Sequence, residues 1–206
     1  MSSIDPHGRA EDIEAGAAAE PEGASMTSHI VAADAQGRVV SITSTIKQNF
    51  GARISVNGFY LNNALTNFAL NPRPGRPGAP NGMAPCKRPR TSIAPCIIFD
   101  EDGMVLAALG AGGGNRIPGT VANALLRLAG GMRDPLAILA APQALNWSGA
   151  TEIEPALEHH GAALARRGHW VLCRRFDVGA QCLVRDGDTW IAAGDPRRDG
   201  LGMAID

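Results

Sequence analysis

Residues 27–45 read Thr27-Ser28-His29-Ile30-Val31-Ala32-Ala33-Asp34-Ala35-Gln36-Gly37-Arg38-Val39-Val40-Ser41-Ile42-Thr43-Ser44-Thr45. Ile30–Ala33 and Val39–Thr45 are β-prone runs flanking the turn Ala35-Gln36-Gly37, so the stretch reads as a β-hairpin. Working outward, the signature recurs. Cys96–Phe99 and Met104–Leu109 flank Asp100-Glu101-Asp102-Gly103, and Cys182–Arg185 and Thr189–Ala193 flank Asp186-Gly187-Asp188. Asp-Gly supplies the positive φ that tight hairpin turns need.

Helices are expected between the second and third hairpins. Val121, Leu125 and Leu128 recur at helical spacing after Pro118, and Gly130-Gly131 stops the run. Asp134-Pro135 starts a second helix that carries Leu136, Ile138 and Leu139 and ends before Pro142. Pro155–Arg167 reads as a third, with Leu157 and Leu164 on one face and Gly168 as C-terminal cap. Residues 71–82, rich in Pro, Gly and Asn, read as a surface loop. Antiparallel hairpins with segregated helices indicate an α+β layered fold rather than a doubly wound parallel sheet.

The chain has 206 residues, enough for one domain with a real core. Its 19 Lys+Arg against 20 Asp+Glu give a net charge of −1, which argues against a nucleic-acid partner. Apolar residues at 45% and charged residues at 19% exclude a largely disordered chain, and no apolar run is long enough to span a membrane. With only three Trp, one Tyr and five Phe, the core must come mainly from Ala, Leu, Val and Ile.

Residues 1–26 are acidic, small and core-poor, and read as a linker or mobile tail. They lack the basic start and apolar segment of a signal peptide. The spacings of Cys86, Cys96, Cys173 and Cys182 match neither a zinc knuckle nor a C-x-x-C pair, so they read as packing residues or incidental thiols, with disulfides left open. The five histidines show no metal-ligand spacing.

Four segments in order resemble the small subunit of the γ-glutamyltransferases (glutathione hydrolases), members of the N-terminal nucleophile hydrolase superfamily. They are Thr27-Ser28-His29-Ile30-Val31-Ala32-Ala33-Asp34; Thr43-Ser44-Thr45-Ile46 with Phe50-Gly51 and Leu61-Asn62-Asn63; Lys87-Arg88-Pro89-Arg90-Thr91-Ser92-Ile93-Ala94-Pro95; and Gly110-Ala111-Gly112-Gly113-Gly114-Asn115-Arg116-Ile117. The ending Gly194-Asp195-Pro196-Arg197-Arg198 is also similar to the family's tail. The resemblance covers about residues 27–200. It implies the small-subunit half of an αββα sandwich, with antiparallel sheets inside and helices outside. It also implies self-cleavage between Met26 and Thr27, dividing a 1–26 large-subunit tail and linker from a 27–206 domain.

The resemblance assigns roles. Thr27 would be the N-terminal nucleophile and its freed α-amine the general base. That fits, because a hydroxyl needs a base and an α-amine titrates at roughly pH 7.7–8.0. Thr45 would support the nucleophile through its hydroxyl. The N–H groups of Gly113 and Gly114 would form the oxyanion hole, and Thr91 and Ser92 would grip the substrate's α-carboxylate. Taken alone, Thr27 and Thr45 are ordinary strand threonines, and Gly110–Gly114 is a glycine-rich turn matching neither G-x-G-x-x-G nor a P-loop.

Three positions depart from the family. Lys47 stands where Asn is usual, Ala64 where Glu is usual, and Asn67 where Asp is usual. The two acids bind the α-ammonium of glutamate, and charge-assisted hydrogen bonds are about twice as strong as neutral ones. Weakened or altered γ-glutamyl recognition is therefore expected, with Lys47 and Asn67 in the substrate pocket. The implied chemistry is acyl transfer from a small γ-glutamyl or other amide substrate to water or an amine, needing neither metal nor organic cofactor. The implied partner is the large subunit, as a separate chain or an upstream segment. Residues 1–12, with Ile4-Asp5-Pro6, look like its end. Two alternatives stay open: an acylase of the same fold acting on a different amide, and a catalytically silent fragment. The family leans towards a periplasmic or extracytoplasmic location, which this chain leaves unknown.

Overall fold

The computed structural model describes residues 27–69, 81–146 and 149–204; residues 1–26 and the expected 26/27 boundary lie outside them. The opening hairpin is present as β1 (Thr27–Ala33) and β2 (Val39–Thr45), antiparallel from Thr27 opposite Thr45 to Ala33 opposite Val39. Its turn is held by Asp34, whose Oδ1 accepts from the N–H of Gln36 at 3.0 Å and of Arg38 at 2.9 Å. A two-residue pair, β3 (Ser55–Val56) and β4 (Phe59–Tyr60), follows.

The second and third hairpins merge into one antiparallel sheet. β5 (Cys96–Phe99) pairs with β6 (Val105–Gly112), and the pair of strands numbered β10 (Gly179–Asp186) and β11 (Thr189–Gly194) joins it through β10 and β6, giving the order β11-β10-β6-β5. The Asp100-to-Gly103 turn uses the same device as the first, Asp100 Oδ1 accepting from Asp102 N at 3.1 Å and Met104 N at 2.8 Å.

The sheet is buried on both faces. On one face Ala107, Leu109, Ala111, Ala180, Cys182 and Val184 pack under the helices α1 (Ile117–Ala129) and α2 (Pro135–Ala140). The helical spacing of Ile117, Val121, Ala124 and Leu128 places all four in that core. Asp134 caps α2, its side chain accepting from Leu136 N at 2.9 Å. On the other face the β1–β2 hairpin lies across β6 and β10. Small residues permit this close stacking: a Cβ on Gly110 would stand 2.3 Å from the His29 ring, and one on Gly112 2.1 Å from the Thr27 carbonyl oxygen. The layers are thus hairpin, sheet and helices.

Two expectations are corrected. Residues between α2 and β10 are not only helical: β7 (Ala144–Asn146), β8 (Thr151–Ile153) and β9 (Val171–Cys173) form a second sheet, with β8 and β9 parallel. Strands of three residues are too short for alternation to register. The helix expected over 155–167 is a 3₁₀ segment, Pro155–His160, followed by α3, Gly161–Arg166. Gly161, a poor helix former, marks the change of winding. Gly168 does take positive φ, +89°. Most of the expected 71–82 loop lies outside the described residues, but Gly82 bridges to Ala69. The four cysteines are free thiols; burial pushes Cys182 up to about 12. No helix among the described residues is long and apolar enough to cross a membrane.

Candidate active site

β1 alternates, and its inward-facing residues Thr27 and His29 are buried against the sheet. Thr27 is 7% exposed, and its Oγ1 donates to Thr45 Oγ1 at 3.0 Å. Antiparallel pairing sets this contact, because Thr27 and Thr45 are directly opposite, at the open end of the hairpin. The backbone N–H of Lys47 donates to the same Thr45 hydroxyl at 2.9 Å, so Thr45 is held from its far side. Lys47 adopts φ +74°, which bends the chain sharply just after β2.

His29 lies one inward step along β1. Its Nδ1 is 2.8 Å from Thr43 Oγ1 and its Nε2 3.3 Å from Ser41 Oγ, so both ring nitrogens are occupied by β2 hydroxyls. Desolvation lowers the His29 pKa to about 4, and the ring is neutral at ordinary pH. It fills the space over Gly110. Sequence reading gave His29 no role; its inward place in the alternation was the available signal.

Gly112 runs directly under Thr27, so Gly113 and Gly114, which follow it, leave the sheet beside that residue. Gly113 has φ +143° and Gly114 φ +60°, and a Cβ on Gly113 would stand 2.7 Å from Val178 Cγ1. Only glycine fits position 113. The turn is pinned twice. Ser92 Oγ donates to the Gly114 carbonyl at 2.8 Å. Arg116 grips Glu152 on β8 through Nε at 2.7 Å and Nη2 at 3.0 Å, and Arg174 stands 3.3 Å from the same carboxylate.

The remaining expected residues lie in two segments linked through Asn81. Thr91 is exposed, and its hydroxyl accepts from Ile93 N at 3.2 Å. Asn67 follows Ala64 in a 3₁₀ turn, Ala64–Asn67. Asn81, expected only as part of a surface loop, joins the two segments: its Nδ2 donates to the Asn67 carbonyl at 2.6 Å, and its Oδ1 accepts from Arg90 N at 2.9 Å. Thr27, Thr45, Gly112–Gly114 and Ser92 are therefore in one chain of contacts, while Asn67 and Thr91 are connected to it through backbone. Among the described residues no cluster of three or more His, Cys, Asp or Glu could hold a metal ion.

A hydroxyl pair therefore stands beside a glycine turn, at the end of a strand stacked on an antiparallel sheet. The γ-glutamyltranspeptidase family model matches residues 2–205. The chain is 35% identical over 184 residues to the acylase ACY 1 proenzyme of Pseudomonas sp. (strain SE83), covering 87% of this chain and 32% of that protein. It is 39% identical over 109 residues to the glutathione hydrolase proenzyme of Bacillus subtilis (strain 168), covering 52% of this chain and 18% of that protein. A solved chain of γ-glutamyltranspeptidase from Pseudomonas nitroreducens superposes with a TM-score of 0.74 at 23% identity, covering 86% of this chain and 98% of that one. The chain belongs to the γ-glutamyltranspeptidase family, a family of enzymes. It spans about a third of the length of the curated acylase it matches or less.

Proposed function

We propose that this chain is the catalytic part of an acyl-transferring amidohydrolase of γ-glutamyltranspeptidase type, with Thr27 as N-terminal nucleophile after cleavage of the Met26–Thr27 bond. The observation that carries this reading is the 3.0 Å hydrogen bond from Thr27 Oγ1 to Thr45 Oγ1, beside the Gly112–Gly114 turn, in a member of the family.

The chemistry follows from those groups. The α-amine of Thr27 takes the hydroxyl proton as Oγ1 attacks the amide carbonyl carbon. The resulting oxyanion is stabilised by the Gly113 and Gly114 amides. The C–N bond breaks, the α-ammonium returns the proton to the leaving amine, and an ester on Thr27 remains. Water or an amine then attacks that ester, and the hydroxyl is regenerated. His29 does not compete as the base, because Thr43 and Ser41 occupy its ring nitrogens and its pKa is near 4.

A large-subunit partner completes the fold in this reading. Within the described residues β1 pairs only with β2, and Ile30, Val40 and Ile42 are exposed on the hairpin's outward face. A segment bringing strands to that edge and helices over that face would give the fourth layer of an αββα sandwich. The substrate has two versions. Thr91 and Ser92 support a γ-glutamyl group. Ala64, Asn67 and Lys47 instead favour an acyl group without an α-ammonium, and one relative is named an acylase.

Side-by-side assay of the processed enzyme on γ-glutamyl-4-nitroanilide and glutaryl-4-nitroanilide separates these versions. Thr27→Ala abolishes turnover of both. Turnover that survives Thr27→Ala refutes the proposal, and a fully silent processed protein supports an inactive subunit instead.

A further inference from the structure

Arg198 belongs to the tail motif for which neither fold nor chemistry has yet supplied a use. Its side chain crosses the sheet at one particular place. Gly112 on β6 and Gly179 on β10 are directly opposite each other. A Cβ on Gly179 would stand 2.6 Å from Arg198 Cδ, and one on Gly112 3.2 Å from Arg198 Nη1. The paired glycines therefore leave a trough that the arginine stem fills. At the end of the trough Nη1 is 3.5 Å from the Thr27 carbonyl oxygen. The other donors engage Asp177, Nε to Oδ1 at 2.8 Å and Nη2 to its carbonyl at 3.0 Å. The backbone under Arg198 is fixed too: its N–H donates to the Asp195 carbonyl at 3.1 Å, and Asp195 N donates to the Ala180 carbonyl at 2.8 Å.

We propose that Arg198 is a positioning residue for the nucleophile, holding Thr27 by its carbonyl and so keeping a positive charge on the residue whose α-nitrogen serves as the base. This rests on Thr27 being an N-terminal nucleophile. A carbonyl contact fixes the residue without consuming the hydroxyl, which stays with Thr45. A nearby cation disfavours the ammonium form of the α-amine, so more of the base is free near neutral pH.

The charges around this nitrogen come from several elements. Asp177, preceding β10, opposes Arg198, but its side chain is 64% exposed against 25% for the arginine, so water screens it more. Arg197 is paired with Glu154 and Asp195, and Asp199 lies further along the same cleft wall. Lys47 follows β2 beyond Thr45. His29, on β1 itself, is neutral above about pH 4. In water, unit charges about 4 Å apart interact by about 1 kcal/mol, so a charge held at the same residue is expected to shift its titration by roughly half a pH unit.

The test is the pH profile of kcat/KM for the processed full-length enzyme, with the two nitroanilides as probes. Its acid limb reports the base of the free enzyme. Arg198→Ala moves that limb up by about half a pH unit and lowers kcat roughly tenfold with KM nearly unchanged. Asp177→Asn moves the limb down, and Arg198→Lys restores it. A merely structural arginine produces no opposed shifts. If Arg198→Ala fails to fold, the Asp177→Asn and Arg198→Lys profiles still decide. Mass spectrometry of each variant separates the two levels of inference. If no chain begins at Thr27, the nucleophile reading and this one fall together. If a Thr27-initiated enzyme turns over but the limbs of its folded variants coincide with wild type, only the role of Arg198 is overturned.

Discussion

Thr27 and Thr45, opposite each other at the open end of one hairpin, share a 3.0 Å hydroxyl–hydroxyl hydrogen bond in which Thr27 donates. The bond fixes the position of Oγ1; in the proposed attack the hydroxyl proton turns from Thr45 to the α-amine while the two oxygens stay in contact. Thr45→Val removes the acceptor while keeping the shape, and should lower kcat by about 10–100-fold through misorientation of Oγ1. Thr45→Ser should retain most activity. Steady-state kinetics with either nitroanilide checks both, and an unimpaired Thr45→Val would remove Thr45 from the machinery.

The close stacking of β1 on β6 depends on missing side chains. An added methyl at Gly112 would meet the Thr27 carbonyl at 2.1 Å, a backbone atom that cannot swing aside. Gly112→Ala should therefore abolish turnover and lower stability by about 1–3 kcal/mol. Thermal unfolding beside activity gives both numbers. A Gly112→Ala protein with wild-type Tm and kcat would contradict the stacking geometry.

His29 makes stability depend on pH. Its pKa falls from 6.5 to about 4 on burial, so between those values the unfolded state binds more protons. The contribution is fully present above pH 6.5 and is lost as pH falls towards 4, amounting to about 3 kcal/mol at most. Denaturant unfolding at pH 7 and pH 4.5 should show this loss. His29→Gln should show a smaller slope over the same range, and equal slopes would mean that the ring is not buried neutral.

Arg197 uses all of its donors to bind the tail to the core: Glu154 through Nε at 2.7 Å and Nη2 at 2.6 Å, Asp195 through Nη1 at 3.0 Å, and the carbonyls of Leu139 at 2.7 Å and Ala141 at 3.0 Å. Arg197→Lys cannot reproduce that planar fork and should cost about 2–4 kcal/mol, since partly buried carboxylates and carbonyls lose partners. Urea unfolding measures it, and a change below half a kcal/mol would contradict this assignment.

Much of this was legible in the sequence because the signals were local. Asp34 and Asp100 in the turns, Pro118 and Asp134 at helix starts, and the helical spacing of Val121 and Leu128 each act within a few residues. The short strands at Ala144, Thr151 and Val171 were not, since their pairing is set by partners up to tens of residues away. The same distinction runs through the site. Thr27, Thr45 and Gly113 sit in recognisable motifs that imply their place, whereas the places of Asn81 and of Arg198, itself in the tail motif, depend on tertiary contacts across 14 and 171 residues of chain. Lys47, Ala64 and Asn67 depart from the residues usual in the family, and that departure is visible only in the sequence.

The central claim is that Thr27 carries the acyl group on its own freed residue. The most direct measurement is mass spectrometry of the processed protein before and after trapping with an electrophilic acyl analogue, followed by peptide mapping. The account predicts a chain whose first residue is Thr27, gaining one acyl adduct on the Thr27 hydroxyl, with no adduct in Thr27→Ala. An active protein in which Met26 and Thr27 remain joined, or an adduct located on another residue, would contradict it.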